Sequence, residues 1–296
     1  MKNKTYIPAL VAVTTLTVSS IHAATLWTGA TDSDFGINSN WNNSAPGQVD
    51  VDQLATINNG DTVNVTNDYT APNTYRLEIQ GNSTVNVSAA MTVNRLTDIG
   101  AGSSLNLLDG SAFTMPKISS GNNSGWIIDG TLEISGGTHA FNERLFGSGT
   151  IRMIGDEASF NINQIGGSGQ DYEFIFNSTG VTGVIGGGTG IGGSGAGPYM
   201  VLGGSTLFVD GTDYTGPYDA AGTTFTLFDS NNITSAFSLV DIDVVGFGQE
   251  GNTDYGYTLT QDLGTDDVFI TVFVPEPSST ALLGLGGLVL AFRRKR

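Results

Sequence analysis

The chain of 296 residues contains no cysteine. Disulfides, thiolate nucleophiles and Cys-type zinc sites are excluded, and the fold must rest on backbone ladders and packing. Positive charge is almost as scarce. Of the 11 Lys and Arg, six sit at the two ends, and only Arg76, Arg95, Lys117, Arg144 and Arg152 serve everything between. From residue 153 to residue 292 there is no Lys or Arg at all, against 15 Asp and Glu before residue 275. With a formal net charge of −17, nucleic acid and anionic membrane surfaces are disfavoured as partners. Histidine is scarcer still: outside the N-terminal stretch only His139 occurs, in Gly-Gly-Thr-His-Ala-Phe. One imidazole cannot build a multi-His metal centre, and a Ser-His-Asp triad would have to use it. Beside Phe141 it reads as a surface or packing residue. Charged residues make up 13% of the chain, while 42 residues are glycine, a profile dense in turns and poor in helix formers.

Apolar runs are confined to the two ends. Lys2 and Lys4 precede an apolar stretch from Ile7 to Ile21, and His22-Ala23-Ala24 supplies small residues. This is the layout of a secretory signal peptide over residues 1–23, cleaved after Ala23 or Ala24. At the other end Val-Pro-Glu-Pro, residues 274–277, cannot continue a helix or a central strand, because two prolines remove donors and restrict their predecessors. Residues 278–292 are uncharged, about 22 Å long if helical against a hydrocarbon core of about 30 Å, so they predict a short transmembrane helix. Arg293, Arg294, Lys295 and Arg296 follow as a cationic stop on the cytoplasmic side.

The order Pro275-Glu276-Pro277, short apolar run and terminal basic cluster resembles the PEP-CTERM sorting signal of bacterial exported proteins. The resemblance implies that an exosortase, a membrane-embedded cysteine transpeptidase, recognises the tail and cuts near the motif. The protein would be held in the inner membrane transiently, then passed to the cell surface or extracellular matrix.

Between the ends, a short unit recurs: a glycine-containing turn, a hydroxyl residue, then apolar, polar, apolar. Instances are Thr62-Val63-Asn64-Val65, Thr84-Val85-Asn86-Val87, Ser104-Leu105-Asn106-Leu107, Thr131-Leu132-Glu133-Ile134, Thr150-Ile151-Arg152-Met153 and Ser159-Phe160-Asn161-Ile162. Alternation of period two means strands with one buried face. The apolar positions 63, 85, 105, 132 and 151 recur at intervals of one coil of a β-solenoid. The interval from 151 to 160 is too short and predicts a hairpin or bulged corner. A β-sandwich is the alternative, although its strands recur at about 8–12 residues. Asn at the polar position suits either a stacked amide ladder or a wet face.

These units define residues 59–184 as a parallel solenoid. Residues 24–58, with Trp27, Phe35 and Trp41 among Gly, Asn and Ser, read as a cap stapled by aromatics. Residues 185–198 are a glycine-rich connection; Gly188, Gly190 and Gly193 match G-x-G-x-x-G, but Pro198 denies the helix a dinucleotide site needs. Residues 199–274 show closely spaced strands that suit an antiparallel β cap, and 275–296 form the tail. Trp27, Gly29, Asn40, Trp41, Asn42, Pro46 and residues 52–57, with the later stretch 222–229, resemble autotransporter-like repeat proteins.

Residues 166–174 approach the calcium motif G-G-x-G-x-D-x-U-x, making Asp171 a weak ligand candidate; Glu173 stands where an apolar residue belongs, and a single copy lacks the adjacent turn. The pairs Asp32 and Asp34, Asp50 and Asp52, Asp241 and Asp243, and Asp266 and Asp267 read as solvated turn residues. Asp129, Glu133 and Glu143 supply carboxylates for glycoside chemistry, but number is not geometry. No cofactor is expected. The expectation is an all-β, non-enzymatic exported surface or matrix protein, with an exosortase-like enzyme as partner. The alternative is a polysaccharide-binding or polysaccharide-cleaving solenoid.

Overall fold

The structure, a computed structural model, describes residues 24–46, 53–70, 75–94, 96–116, 125–166, 169–186, 200–216, 222–230, 233–247, 255–262 and 265–274. Ala23, Asp50, Asp52, most of the glycine-rich connection and the tail from Pro275 to Arg296 lie outside them. Apart from two short 3-10 turns, Asn38–Asn40 and Leu239–Asp241, the regular elements among the described residues are strands.

The repeats fold as their alternation dictates. Thr62–Val65, Thr84–Val87, Ser104–Leu107, Thr131–Ile134, Thr150–Ile154, Asp171–Ile175, Thr206–Asp210 and Ile242–Val245 form one eight-stranded sheet, parallel throughout and in chain order. Each strand pairs with its equivalent one repeat further on. Val63, Val85, Leu105, Leu132 and Ile151 occupy one register column, continued by Tyr172, Leu207 and Ile242. All but Ile242 are buried, as are Val65, Val87, Leu107, Ile134, Met153, Phe174 and Val209 two residues on. Burying each such side chain contributes about 1.5–3 kcal/mol.

A second sheet of 16 strands holds two further parallel ladders. One runs through Ala24–Leu26, Gln53–Ile57, Tyr75–Ile79, Leu96–Ile99 and Gly125–Ile128. The other runs through Tyr69–Thr70, Ala90–Thr92 and Ala112–Met115. The long strands Gly137–Phe146 and Ala158–Ile165 join them: their first halves extend the second ladder, their last residues the first. A register shift between Phe141 and Arg144 marks the corner. Each repeat therefore visits three ladders in turn, and the molecule is an all-β structure of long parallel sheets, compatible with a β-helix. A sandwich would pair strands 8–12 residues apart; these pair about 20 residues apart.

Glycine makes the turns possible where levels stack closely. Gly81 has φ +64°, and a Cβ there would sit 2.3 Å from the carbonyl oxygen of Asn58 on the level before.

The hairpin-or-corner expectation resolves to the corner, and a second expectation needs correction. Ser159–Ile162 forms no hairpin. It lies in Ala158–Ile165, parallel to Gly137–Phe146, with His139 opposite Phe160. The interval of nine residues is the step from one ladder to the next within a level. The stretch from 199 is also not wholly antiparallel, because Thr206–Asp210 and Ile242–Val245 extend the eight-stranded sheet in parallel. Met200–Val201 joins Ile165 and Ile233–Ser235 in parallel. Antiparallel pairing begins at Thr223–Ser230. Its last residues pair in parallel with Val184–Gly186, and it runs antiparallel to Asp267–Phe273, which pairs in turn with Gly256–Asp262. Val268, Ile270 and Val272 are buried there, with Phe225 packed against the core.

The N-terminal segment caps the first level. Trp27 and Trp41 meet edge to face at 5.2 Å, Phe35 and Trp41 at 5.1 Å, and Phe35 and Tyr69 at 4.8 Å. Trp41 Nε1 donates to the Phe35 carbonyl at 2.8 Å, and Trp27 Nε1 to the Asp61 carboxylate at 3.0 Å. Asn64 and the cap exchange backbone bonds, Asn64 N–H to Ser33 and Phe35 N–H to Asn64. The outer edge of the first strand is thereby paired.

Candidate functional site

The outward face of the eight-stranded sheet gathers the polar residues of the repeats. Its central column runs Asn64, Asn86, Asn106, Glu133, Arg152, Glu173, Phe208, Asp243. The three asparagines form an amide ladder: Asn106 Nδ2 donates to Asn86 Oδ1 at 2.9 Å, Asn86 Nδ2 to Asn64 Oδ1 at 3.0 Å, and Asn64 Nδ2 to the Ser33 hydroxyl at 2.9 Å. Spacing of about 4.8 Å between paired strands suits one amide bond per level. Beside it runs a column of hydroxyls, Thr62, Thr84, Ser104, Thr131 and Thr150, in which Ser104 donates to Thr84 at 3.1 Å.

Below the asparagines the column becomes ionic. Arg152 donates through Nε to Glu173 at 2.5 Å and through Nη1 to Glu133 at 3.2 Å. These bonds, that to Glu173 foremost, hold the guanidinium pKa above its ordinary value. The spacing 133, 152, 173 repeats the coil interval, so it was available in the sequence as a sign of contact.

Of the candidate catalytic acids, Asp129 and Glu133 are each held by a neighbour. Asp129 stands in the turn between Gly125–Ile128 and Thr131–Ile134, accepting from the backbone and hydroxyl of Ser148 at 3.0 and 3.2 Å. Glu133 is engaged by Arg152 on the outward face, and Glu143 lies on the long strand Gly137–Phe146. His139 is buried, 2% exposed. Its Nδ1 accepts from Phe113 N–H at 3.2 Å and its Nε2 donates to the Gly136 carbonyl at 2.6 Å. Burial lowers its pKa, and the two bonds fix a neutral imidazole as a packing residue.

Asp171 is claimed by its neighbour one level on, since Thr206 donates to its carboxylate at 2.6 Å. Asp32 accepts from Asp34 N–H at 2.9 Å and Asn40 Nδ2 at 2.7 Å, bonds that lower its pKa. Asp266 accepts from Ile233 N–H at 3.0 Å. Among the described residues no three His, Asp or Glu are grouped as ligands for a metal ion.

One acidic pair escaped the sequence reading. Glu78 and Asp98 are register partners on adjacent levels of the first ladder. Thr56 donates to Glu78 at 3.4 Å, and Gln80 to Asp98 at 3.3 Å. Burial raises both carboxyl pKa values, with repulsion from Asp98 acting on Glu78 and from Asp129 on Asp98. Their offset of one repeat was the available signal.

Among the described residues no helix is long and apolar enough to cross a membrane, and residues 278–292 lie outside them. Asp267–Phe273, the strand that leads to the tail, ends one residue before Val274, which packs against the core.

Neither the curated proteins nor the solved structures contain a match to this chain. The autotransporter-like character of the repeats has no family match behind it. Residues 273–296 match the PEP-CTERM protein-sorting motif, a range that takes in Pro275, Glu276, Pro277 and the basic cluster from Arg293 to Arg296. The tail marks an exported protein bearing a C-terminal sorting signal of the kind an exosortase recognises.

Proposed function

We propose that this chain is a non-enzymatic surface or matrix protein: a β-solenoid rod that leaves the cell through its signal peptide and is processed by an exosortase-like transpeptidase. The match of residues 273–296 to the sorting motif carries the reading. The rod itself supports it, because its outward polar groups are spent on one another, Asn on Asn and Arg152 on two carboxylates. Such mutual satisfaction suits a spacer or adhesive surface that must stay ordered in water without disulfides. On this reading the uncharged run 278–292 holds the precursor in the inner membrane until it is cut, with the basic end in the cytoplasm.

Replacing Glu276 and Pro277 by Ala in the native host should leave a larger, membrane-retained form, and the mass of the mature wild-type protein fixes both cleavage points. Processing that proceeds unchanged refutes the sorting assignment.

A second reading, polysaccharide binding or cleavage, is favoured by one observation: Thr62, Asn64, Thr84, Asn86, Ser104 and Asn106 form an uncharged patch of hydroxyls and amides on three adjacent strands. Mature protein incubated with a polysaccharide panel should release no reducing ends or unsaturated products. Turnover that disappears in Glu133→Gln would overturn the structural reading.

A further inference from the structure

The sorting motif and the fold meet without a spacer. The match begins at Phe273, which is also the last residue of the strand Asp267–Phe273, and Val274 packs against the core. That strand is second from the edge of the 16-stranded sheet, held by Thr223–Ser230 on one side and Gly256–Asp262 on the other. Only Pro275, Glu276 and Pro277 separate Val274 from the uncharged run that starts at Ser278, a reach of about 10 Å even when extended. An enzyme that engages this motif at the membrane therefore has the folded end of the rod within that distance.

Charge along these three strands is uneven, although Asp219, Glu250, Asp254 and Glu276 stand next to their motif-proximal ends in the sequence. Across these three strands the row farthest from the motif is Asp229, Asp267 and Asp262, three carboxylates side by side. The rows nearer the motif carry no charged residue: Phe225, Ile270 and Leu259; Thr224, Thr271 and Thr258; Thr223, Val272 and Tyr257; then Phe273 and Gly256. Thr224 and Thr258 are exposed, and the Thr224 and Thr271 hydroxyls bond at 2.9 Å. The strand spans about 20 Å at roughly 3.4 Å per residue, so the acidic row stands about that far from the motif.

We infer that the motif-proximal end of the strands Thr223–Ser230, Asp267–Phe273 and Gly256–Asp262 is the surface this protein presents to its membrane-bound processing enzyme before the tail is cut. The inference rests on the sorting reading. It makes the folded cap, and not the tail alone, part of what that enzyme meets.

The absence of cysteine gives a direct test. Thr258→Cys and Thr224→Cys at the motif end, and exposed Ser39→Cys in the opposite cap, are introduced singly into the full chain in its native host. Each is labelled with a photoactivatable maleimide, and the uncut precursor is illuminated in the membrane. Adducts to membrane protein should be at least tenfold more abundant from residues 258 and 224 than from residue 39, and adducts to lipid alone overturn the inference. A Gly-Ser spacer of 15 residues inserted between Val274 and Pro275 should bring them down to the residue 39 level while processing continues. Equal adduct yields from the two ends, or yields at 258 and 224 that survive the spacer, overturn this inference and leave the sorting reading standing. Unchanged processing of the Glu276→Ala, Pro277→Ala chain overturns both.

Discussion

Two outward columns treat charge in opposite ways, residue by residue. Arg152 is the only cation in its column and answers two carboxylates, with side-chain exposures of 37% for the arginine and about a quarter for each glutamate. Solvent screens such a group, so Arg152→Ala should cost about 1 kcal/mol of unfolding free energy. Arg152→Lys should recover less than half of it, because an ammonium cannot reproduce the two directions of the fork. A denaturation midpoint unmoved in the alanine variant would show that the sandwich adds nothing. At Glu78 and Asp98 burial and carboxylate repulsion outweigh the nearby Arg76 and the bonds from Thr56 and Gln80. Their raised pKa values mean that the folded chain binds protons more tightly than the unfolded one. Stability from this pair therefore rises as pH falls from neutral toward the ordinary carboxyl range, and is lost again as pH climbs. Asp98→Asn should stabilise the protein at pH 7 by about 0.5–1 kcal/mol and flatten that slope. His139 acts the other way: with its pKa lowered, its contribution is complete above about pH 6.5 and declines below it. Comparing Asp98→Asn with wild type at each pH cancels the histidine and isolates the pair.

Elements of this fold differ in what they owe to neighbours. The first cap carries a removable keystone in Trp41, 4% exposed, in contact with both Trp27 and Phe35 and bonded to the Phe35 carbonyl. Trp41→Ala should cost about 3–5 kcal/mol of local stability and free the edges of Gln53–Ile57 and Thr62–Val65 for pairing with other chains. Light scattering should show more association than in the wild type; a variant that associates no more than the wild type would mean that another element guards those edges. The aromatic cluster was legible because three large aromatics among Gly, Asn and Ser have no strand of their own to pack on. The strands at 63, 85, 105, 132 and 151 were legible for a similar reason, since each carries its inward face in its own alternation. Which ladder a strand joins is not written in the strand. Phe160 alternates as Ile151 does, yet it belongs to another ladder, and only its pairing with His139 shows this. Thr206 lies 35 residues beyond its partner Asp171, so the inserted chain hid a period that the register preserves. Pairing across levels is also what joins Arg152 to Glu133 and Glu173.

Across the whole molecule, charge is distributed along the axis of stacking. The levels before residue 153 hold every cation of the described body, while the chain from there to residue 274 has 15 acidic residues and no basic one. Folding brings Asp229, Asp267 and Asp262 into one row, where like charges directly opposite are destabilising. In a stacked parallel structure each level interacts mainly with the next, so repulsion concentrated at one end weakens that end first. Salt shortens the reach of such repulsion, from about 30 Å at 0.01 M to about 10 Å at 0.1 M. Raising sodium chloride from 0.01 M to 0.5 M should therefore stabilise the mature protein by about 1–2 kcal/mol, or about 2–6 °C in Tm for a chain of this size. The opposed loss at the Arg152 sandwich involves one cation against many carboxylates. Hydrogen exchange locates the gain: amides of Asp171–Ile175, Thr206–Asp210 and Asp267–Phe273 should gain more protection than those of Thr84–Val87 and Ser104–Leu107. A uniform gain, or a Tm that falls with salt, would show that the acidic half is already relieved by contacts between its own levels.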